Sequence, residues 1–345
     1  MNLHSPEKAA LIKRHIERLR DIQRKPVCLA QGECKGVIGR SHTISKSQSL
    51  SLIAEDDHVL VRQFDLFASS RDNFMEPKRT SINEALAFHG FCKHHDNELF
   101  KSLDQSPFMA TPEQIFMQAY RSACREYYFK ACQIEAFPNP EQIAELQGLP
   151  QNEEYRLSPD LELAIFSMYQ GLADIAVCKE KFEKLLSSSD YLRLRSHIIH
   201  FGSSPVIACA GSFFPDYLSN GKLLQDFADF DTRLQSLFIS VIPDTSGIFV
   251  VFSFFDDEAQ APTSFIEDLI DTDKLTERLI WLCMTRSENL ALKPSWWGEL
   301  PDNTHNKISE AAHYNANLHD DRLPTFDRMP DLATDEWEVS HQFWI

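Results

Sequence analysis

Two cysteines, a Ser-His pair and a Cys-x-x-His-Asp run constrain this chain more than any other feature. Cys28 and Cys34 lie in VCLAQGECKG, Arg40-Ser41-His42 in IGRSHTISKSQSL, and Cys92, His94, His95 and Asp96 in GFCKHHDNELF. Thiolate and imidazole groups hold Zn2+ tetrahedrally at about 2.0–2.3 Å, so Cys28, Cys34, Cys92 and His95 are expected to close one structural zinc site. Such a crosslink would fold residues 26–105 into a small module. His42 and Asp96 are then left over for a second, catalytic role.

With 345 residues against a typical domain of about 150, the chain has room for two or three domains and a sizeable core. Hydrophobic residues at 43% and charged residues at 25% are ordinary for a soluble globular protein. The longest apolar runs fall short of the roughly 20 residues that span a bilayer, and MNLHSPEKAALIKRH has no signal-peptide core, so the expectation is a cytoplasmic protein. Eight cysteines spread over the chain do not form a secreted disulfide framework. Cys124, Cys132, Cys178, Cys209 and Cys283 stand in apolar surroundings and read as buried, reduced thiols.

The net charge of −17 argues against generic adhesion to nucleic acid, but it is unevenly spread. Residues 1–50 carry ten Lys/Arg against four acids, a balance of +6. That basic segment suits local phosphate contact through Arg14, Arg18, Arg40 and Lys46. It suits equally a basic helix, residues 1–25, docked on the acidic body of its own chain.

Ser5-Pro6-Glu7 opens a helix running to about Arg24, with Leu11, Ile12, Ile16, Leu19 and Ile22 at helical spacing. From Pro26 to Phe100 helical periodicity gives way to β-like runs at 36–44 and 58–67, a short helical turn at 49–55, a polar loop at 71–80 and a helix from about Cys92. Thr111-Pro112-Glu113-Gln114 is a capping box that starts a helix over 112–135, and Ser158-Pro159-Asp160 starts another. Beyond Gly202 come β segments at 205–214, 234–242 and 248–255. The last two form a hairpin around a Gly-containing turn, apolar enough to be buried on both faces. Residues 262–285 return to helix, completing a body at 106–300. A polar tail at 301–345 is expected to wrap the surface or lack order.

The order Cys28…Cys34, Ser41-His42 on a strand, then Cys92-x-x-His95-Asp96 opening a helix resembles the HNH (ββα-metal, treble-clef) endonucleases, over residues 26–100 only. The resemblance implies a structural Zn2+ on Cys28, Cys34, Cys92 and His95, with His95 where the family usually has a second helix cysteine. It implies His42 as the general base activating water and Asp96 as a ligand of a catalytic Mg2+ or Mn2+. The chain departs from the family pattern in three places. Ser41 replaces the acid often found before the base, Asn83 and Asn73 are offset from the usual Asn position, and Cys28-x5-Cys34 is longer than the common knuckle. The insert between His42 and Cys92 is also larger than usual.

The plainer readings stand beside these: ordinary cysteines with a surface histidine, a locally hydrogen-bonded His42, and Asp96 as an acid favoured in a first helical turn. His94 and His58 are secondary candidates for metal or phosphate contact. Asp256-Asp257-Glu258, Asp271 and Asp273 read as solvated acids, and Trp296-Trp297 as packing residues before a base-stacking surface. G-x-S-x-G, Walker A, H-E-x-x-H and dinucleotide motifs are missing. The expected architecture is α+β: a small zinc module followed by a larger helical and β-hairpin body. The expected function is a metal-dependent nuclease hydrolysing nucleic-acid phosphodiesters, DNA ahead of RNA, by analogy a bacterial antiviral defence effector, with the acidic body contributing regulation, target choice or protein-partner contacts. A non-catalytic zinc module that binds nucleic acid or a protein partner is the other class.

Overall fold

The computed structural model describes residues 6–25, 27–34, 36–62, 77–137, 159–227, 229, 232–316, 326, 329–330, 332 and 337–345. Helix α1 (Pro6–Gln23) precedes strand β1 (Ile38–His42), a single π-helical turn (Lys46–Leu50) and a short α-turn (Ser51–Ile53). Strands β2 (His58–Arg62), β3 (Pro77–Ser81) and β4 (Ala87–Cys92) lead into helix α2 (Lys93–Leu99) and a one-turn helix (Lys101–Asp104). Long helices α3 (Pro112–Ala136) and α4 (Pro159–Ser188) and a 3-10 turn (Tyr191–Arg193) are followed by β5 (Leu194–Phe201), β6 (Ile207–Phe213), β7 (Leu237–Asp244) and β8 (Gly247–Phe255). Helices α5 (Gln260–Ile270) and α6 (Leu275–Arg286), strand β9 (Leu290–Leu292), helices α7 (Pro294–Glu299) and α8 (Asp302–Ala316) and strand β10 (Val339–Trp344) complete the order. The fold is α+β.

Two sheets form among the described residues. The strands β1 and β4 pair antiparallel, and an eight-stranded antiparallel sheet runs β10-β5-β8-β7-β6-β9-β2-β3. Every residue of β8 is buried, because strand alternation sends successive side chains to two covered faces. Ile198, Phe238, Val251 and Phe255 join α3 and α4 on one face, while Ile199, Ile239, Val250 and Phe252 join α5, α6 and α8 on the other.

Local signals explain most element ends. Thr111 accepts from the Gln114 amide and Gln114 returns the bond, so the capping box that starts α3 is present. The β7–β8 hairpin closes between Asp244 and Gly247, with Asp244 accepting from the Ser246 amide at 2.9 Å. Gly247 has φ of +142°, and a Cβ there would lie 1.9 Å from the Phe201 carbonyl oxygen, so only glycine fits.

Several elements depart from the sequence reading. Strand β3 falls in the expected polar loop, and β4 and β5 were not expected as strands. Tertiary pairing makes them: β3 lies against β2, β4 against β1, and β5 between β8 and β10. The helix expected over 262–285 is two helices, broken at Asp271–Lys274. The tail contributes α8 and the edge strand β10. The expected caps Ser5 and Ser158, and residues 63–67 of the expected second strand, lie outside the described residues.

The insert between β1 and β4 does not stay apart from the body. Strand β2 pairs with β9, and Ile44, Leu50, Ile53, Val59, Phe88, Phe91, Phe100 and Leu103 belong to the same buried cluster as α3, α4 and one sheet face. The segment 26–105 and the body therefore share a sheet and a core.

Candidate metal centre and adjoining polar site

The hairpin-like pairing of β1 with β4 delivers the Cys/His cluster. Its register sets Ile38 opposite Cys92, and the Leu29 amide donates to the Gly90 carbonyl at 2.8 Å, which lays the Cys28 segment along the other side of β4. Cys92 is the N-cap of α2, its sulfur accepting from the His95 amide at 3.4 Å, so the helix start itself fixes the Cys-x-x-His geometry. One ligand atom each from Cys28, Cys34, Cys92 and His95 all lie within 4.8 Å of one another. The Nδ1 of His95 is 3.3 Å from the Cys28 sulfur and 3.4 Å from that of Cys92. Tetrahedral ligands at 2.0–2.3 Å from an ion are separated by about 3.3–3.8 Å, so the four residues are close enough to bind a metal ion.

Their electrostatics differ. Burial raises the Cys92 thiol, but the His95 amide and the Cys34 and Cys28 sulfurs outweigh it and the net shift is downward, toward the thiolate. Cys28 is raised, chiefly by burial. The five other cysteines are free and buried, as expected.

A second polar cluster adjoins the same helix start through Asp96. The buried Ser41 hydroxyl donates to Asp96 Oδ1 at 2.5 Å. Arg121 of α3 reaches the same oxygen with Nη2 at 3.3 Å and grips Asp104 with both terminal nitrogens, at 3.1 and 2.7 Å. Its guanidinium stacks on the Phe100 ring, 4.2 Å from the centroid. The hydrogen bonds to the Asp96 carboxylate fall on Oδ1; Oδ2 has no hydrogen-bond partner among the described residues.

The turn between β3 and β4 organises the candidate residues of β1. His42 Nε2 lies 3.0 Å from the Ile82 carbonyl oxygen. A carbonyl only accepts, so Nε2 carries the proton and Nδ1 is left with a lone pair in the neutral ring. Burial lowers the His42 pKa, and Arg121 and Lys46 add to that against the pull of the carbonyl. Lys46, on the π-helical turn, donates to Asn83 Oδ1 at 3.0 Å, and Arg40 pairs with Glu84 at 3.5 Å. Thr43 donates to the Leu86 carbonyl from both its amide, at 2.9 Å, and its hydroxyl, at 3.1 Å. Leu86 is held at φ of +54°, a conformation costly for a residue with a Cβ and retained where surroundings over-determine it.

No family model, curated protein or solved structure matches this chain.

The placement of the remaining candidates follows from the contacts. The structure brings Ser41 to Asp96, whereas the hydrogen bond of His42 goes to Ile82. Arg18 donates to the Glu135 carbonyl at 3.1 Å, and Arg14 lines the same groove with Glu17, Asp21 and Lys25. The basic helix thus docks on α3 of its own chain, where Lys25 also pairs with Glu135 at 2.5 Å. His58 bonds the Asp56 carbonyl at 2.6 Å, and His94 stands beside His95. Trp296 and Trp297 pack against the second core face, Trp297 stacked on His305 at 4.3 Å. Among the described residues no helix is long and apolar enough to cross a membrane.

Arg121 and Asp104 were missed by sequence reasoning. The available signal was an arginine inside IFMQAYRSAC, a stretch of α3 with every residue buried. A charge in such a run has to find a partner.

Proposed function

We propose that residues 26–100 form a zinc-bearing treble-clef (ββα-metal) unit and that the chain is an HNH-like nuclease hydrolysing phosphodiesters, DNA in preference to RNA. Three sulfurs and one imidazole make a donor set suited to Zn2+ over harder cations, so Cys28, Cys34, Cys92 and His95 are assigned to a structural zinc. The carrying observation is the Asp96 carboxylate: Oδ1 is anchored by Ser41 and Arg121 while Oδ2 is unengaged, in the first turn of the helix that the Cys/His cluster fixes.

In this reading Asp96 would be the protein ligand for Mg2+ or Mn2+, an ion that would supply stabilisation of charge on the phosphate and the leaving oxygen. His42 takes a proton from water at Nδ1 as the water oxygen bonds to phosphorus and the bond to the leaving sugar oxygen breaks. Its Ile82 hydrogen bond keeps the ring in the right tautomer, and its lowered pKa keeps it neutral at pH 7. Arg40 and Lys46, tethered to the 82–86 turn, would meet flanking phosphates, whereas α1, with Arg18 on Glu135, is docked on α3.

The ion pair between Arg121 and Asp96, with a serine at position 41, favours a second reading: a non-catalytic zinc module that binds nucleic acid or a protein partner, the latter through the acidic body. One assay separates them. Purified protein with Mg2+ or Mn2+ nicks plasmid, and His42→Ala lowers the rate by about a hundredfold or more while keeping about one zinc per chain. Wild-type protein that holds zinc yet never cuts under any divalent metal establishes the second reading instead.

A further inference from the structure

The guanidinium of Arg121 is the least exposed charge at this site, at 1%, and it faces two carboxylates with 21% and 33% exposure. A group so enclosed does not reach a substrate, and a bare ion pair would not explain its division between partners. Its fork holds Asp104 bidentately, and Nη2 reaches past that pair to Asp96 Oδ1. Ser41 approaches the same oxygen, so two anchors hold Oδ1, while Oδ2 has no hydrogen-bond partner among the described residues. One positive and two negative charges leave the trio with a net −1, and its one carboxylate oxygen with no hydrogen-bond partner among the described residues is Asp96 Oδ2.

We propose that Arg121 is a positioning residue that anchors and attenuates Asp96, and that Asp104 sets, by competing for the guanidinium, how strongly Asp96 attracts a divalent cation. The inference rests on the reading of Asp96 as the cation ligand. It also makes α3 a working part of the site: Arg121 stacks on Phe100, just past the C-terminus of α2, so the helix bearing Asp96 is braced from the body. A lysine would not serve, since an ammonium is a point charge without the planar fork that spans both carboxylates.

The test is Mn2+ binding followed by electron paramagnetic resonance of the free ion, with plasmid cleavage measured separately. The site is identified as the binding lost in Asp96→Asn. Asp104→Asn removes one negative charge, gives Arg121 wholly to Asp96 and weakens that binding about tenfold, with zinc content and helical circular dichroism unchanged. Arg121→Gln leaves two uncompensated carboxylates and tightens Mn2+ binding, while cleavage falls because Asp96 loses an anchor. A merely structural role moves both readouts downward together. Unchanged Mn2+ affinity in Asp104→Asn, or weaker binding in folded Arg121→Gln, overturns the proposal. Wild-type Mn2+ binding by Asp96→Asn removes the cation-ligand reading and this inference with it. Mn2+ binding that shifts as described in a protein that never cleaves keeps the inference and discards only the nuclease.

Discussion

The β1–β4 pair and the β7–β8 hairpin are both two antiparallel strands, yet different forces hold them. All nine residues of β8 are buried, and its hairpin sits mid-sheet between two apolar layers. In β1 only Ser41 is buried, so although Phe88 and Phe91 anchor β4 in the core, the β1 side of the pair is held by polar anchors: the Cys/His cluster, Ser41 on Asp96, His42 on Ile82 and, just beyond the strand, Thr43 on Leu86. Hydrophobic burial is non-directional and strong in sum, so it builds the platform. Hydrogen bonds and metal ligands are directional, so they aim side chains that must stay near solvent.

The contrast breaks most visibly if the proposed zinc is removed. Chelation, or Cys92→Ser, should abolish amide hydrogen-exchange protection through β1, β4 and α2 while β7 and β8 stay protected, because metal-binding energy is local folding energy. Simultaneous loss across both regions would show that the two are one cooperative unit. Next in size, Phe252→Ala in the middle of β8 should cost about 3–5 kcal/mol in denaturant unfolding and leave metal content unchanged.

Acid should loosen the sheet at its β10 edge. His197 and His200 of β5 sit against Trp344 and His341 of β10, with ring centroids 4.5 and 4.8 Å apart. Both have lowered pKa values, chiefly from burial; the His341 charge adds to this for His200, while Gln342 opposes it for His197 and Asp244 for His200. The unfolded chain, titrating near 6.5, binds protons that the folded state refuses. Stability from these groups is therefore intact above about pH 6.5 and falls as pH drops through the folded values. Hydrogen exchange at Ser196 and Ile345, whose backbones pair at 2.9 and 2.8 Å, should rise first, and His197→Phe should flatten the response. The smallest effect sharpens the functional side: Lys46→Ala should change stability by less than about 0.5 kcal/mol while lowering the salt slope of DNA binding by about one.

What was legible in the sequence followed from short-range rules. The capping box at Thr111, the Pro-led helix starts, the apolar hairpin turning at Gly247 and the Cys-x-x-His step at Cys92 each depend on residues within a few positions, and all are present, whereas the meeting of that step with Cys28 and Cys34 is long-range. Strands β3, β4 and β5 were hidden because a strand needs a partner, and their partners lie elsewhere in the chain. Arg121 was hidden for a related reason. Its role exists only because Asp96, Asp104 and Phe100 arrive from other elements.

Composition and spacing by themselves determined the mixed α+β class, the reduced buried cysteines and a cluster of thiols and imidazole able to gather one ion. Only the tertiary structure decided that β2 and β3 join the main sheet, that the basic helix lies on α3, and that one oxygen of Asp96 is held while the other is open. Ligand chemistry is carried by residue type, but which lone pair remains unengaged is a matter of distances between elements, and those are set by packing.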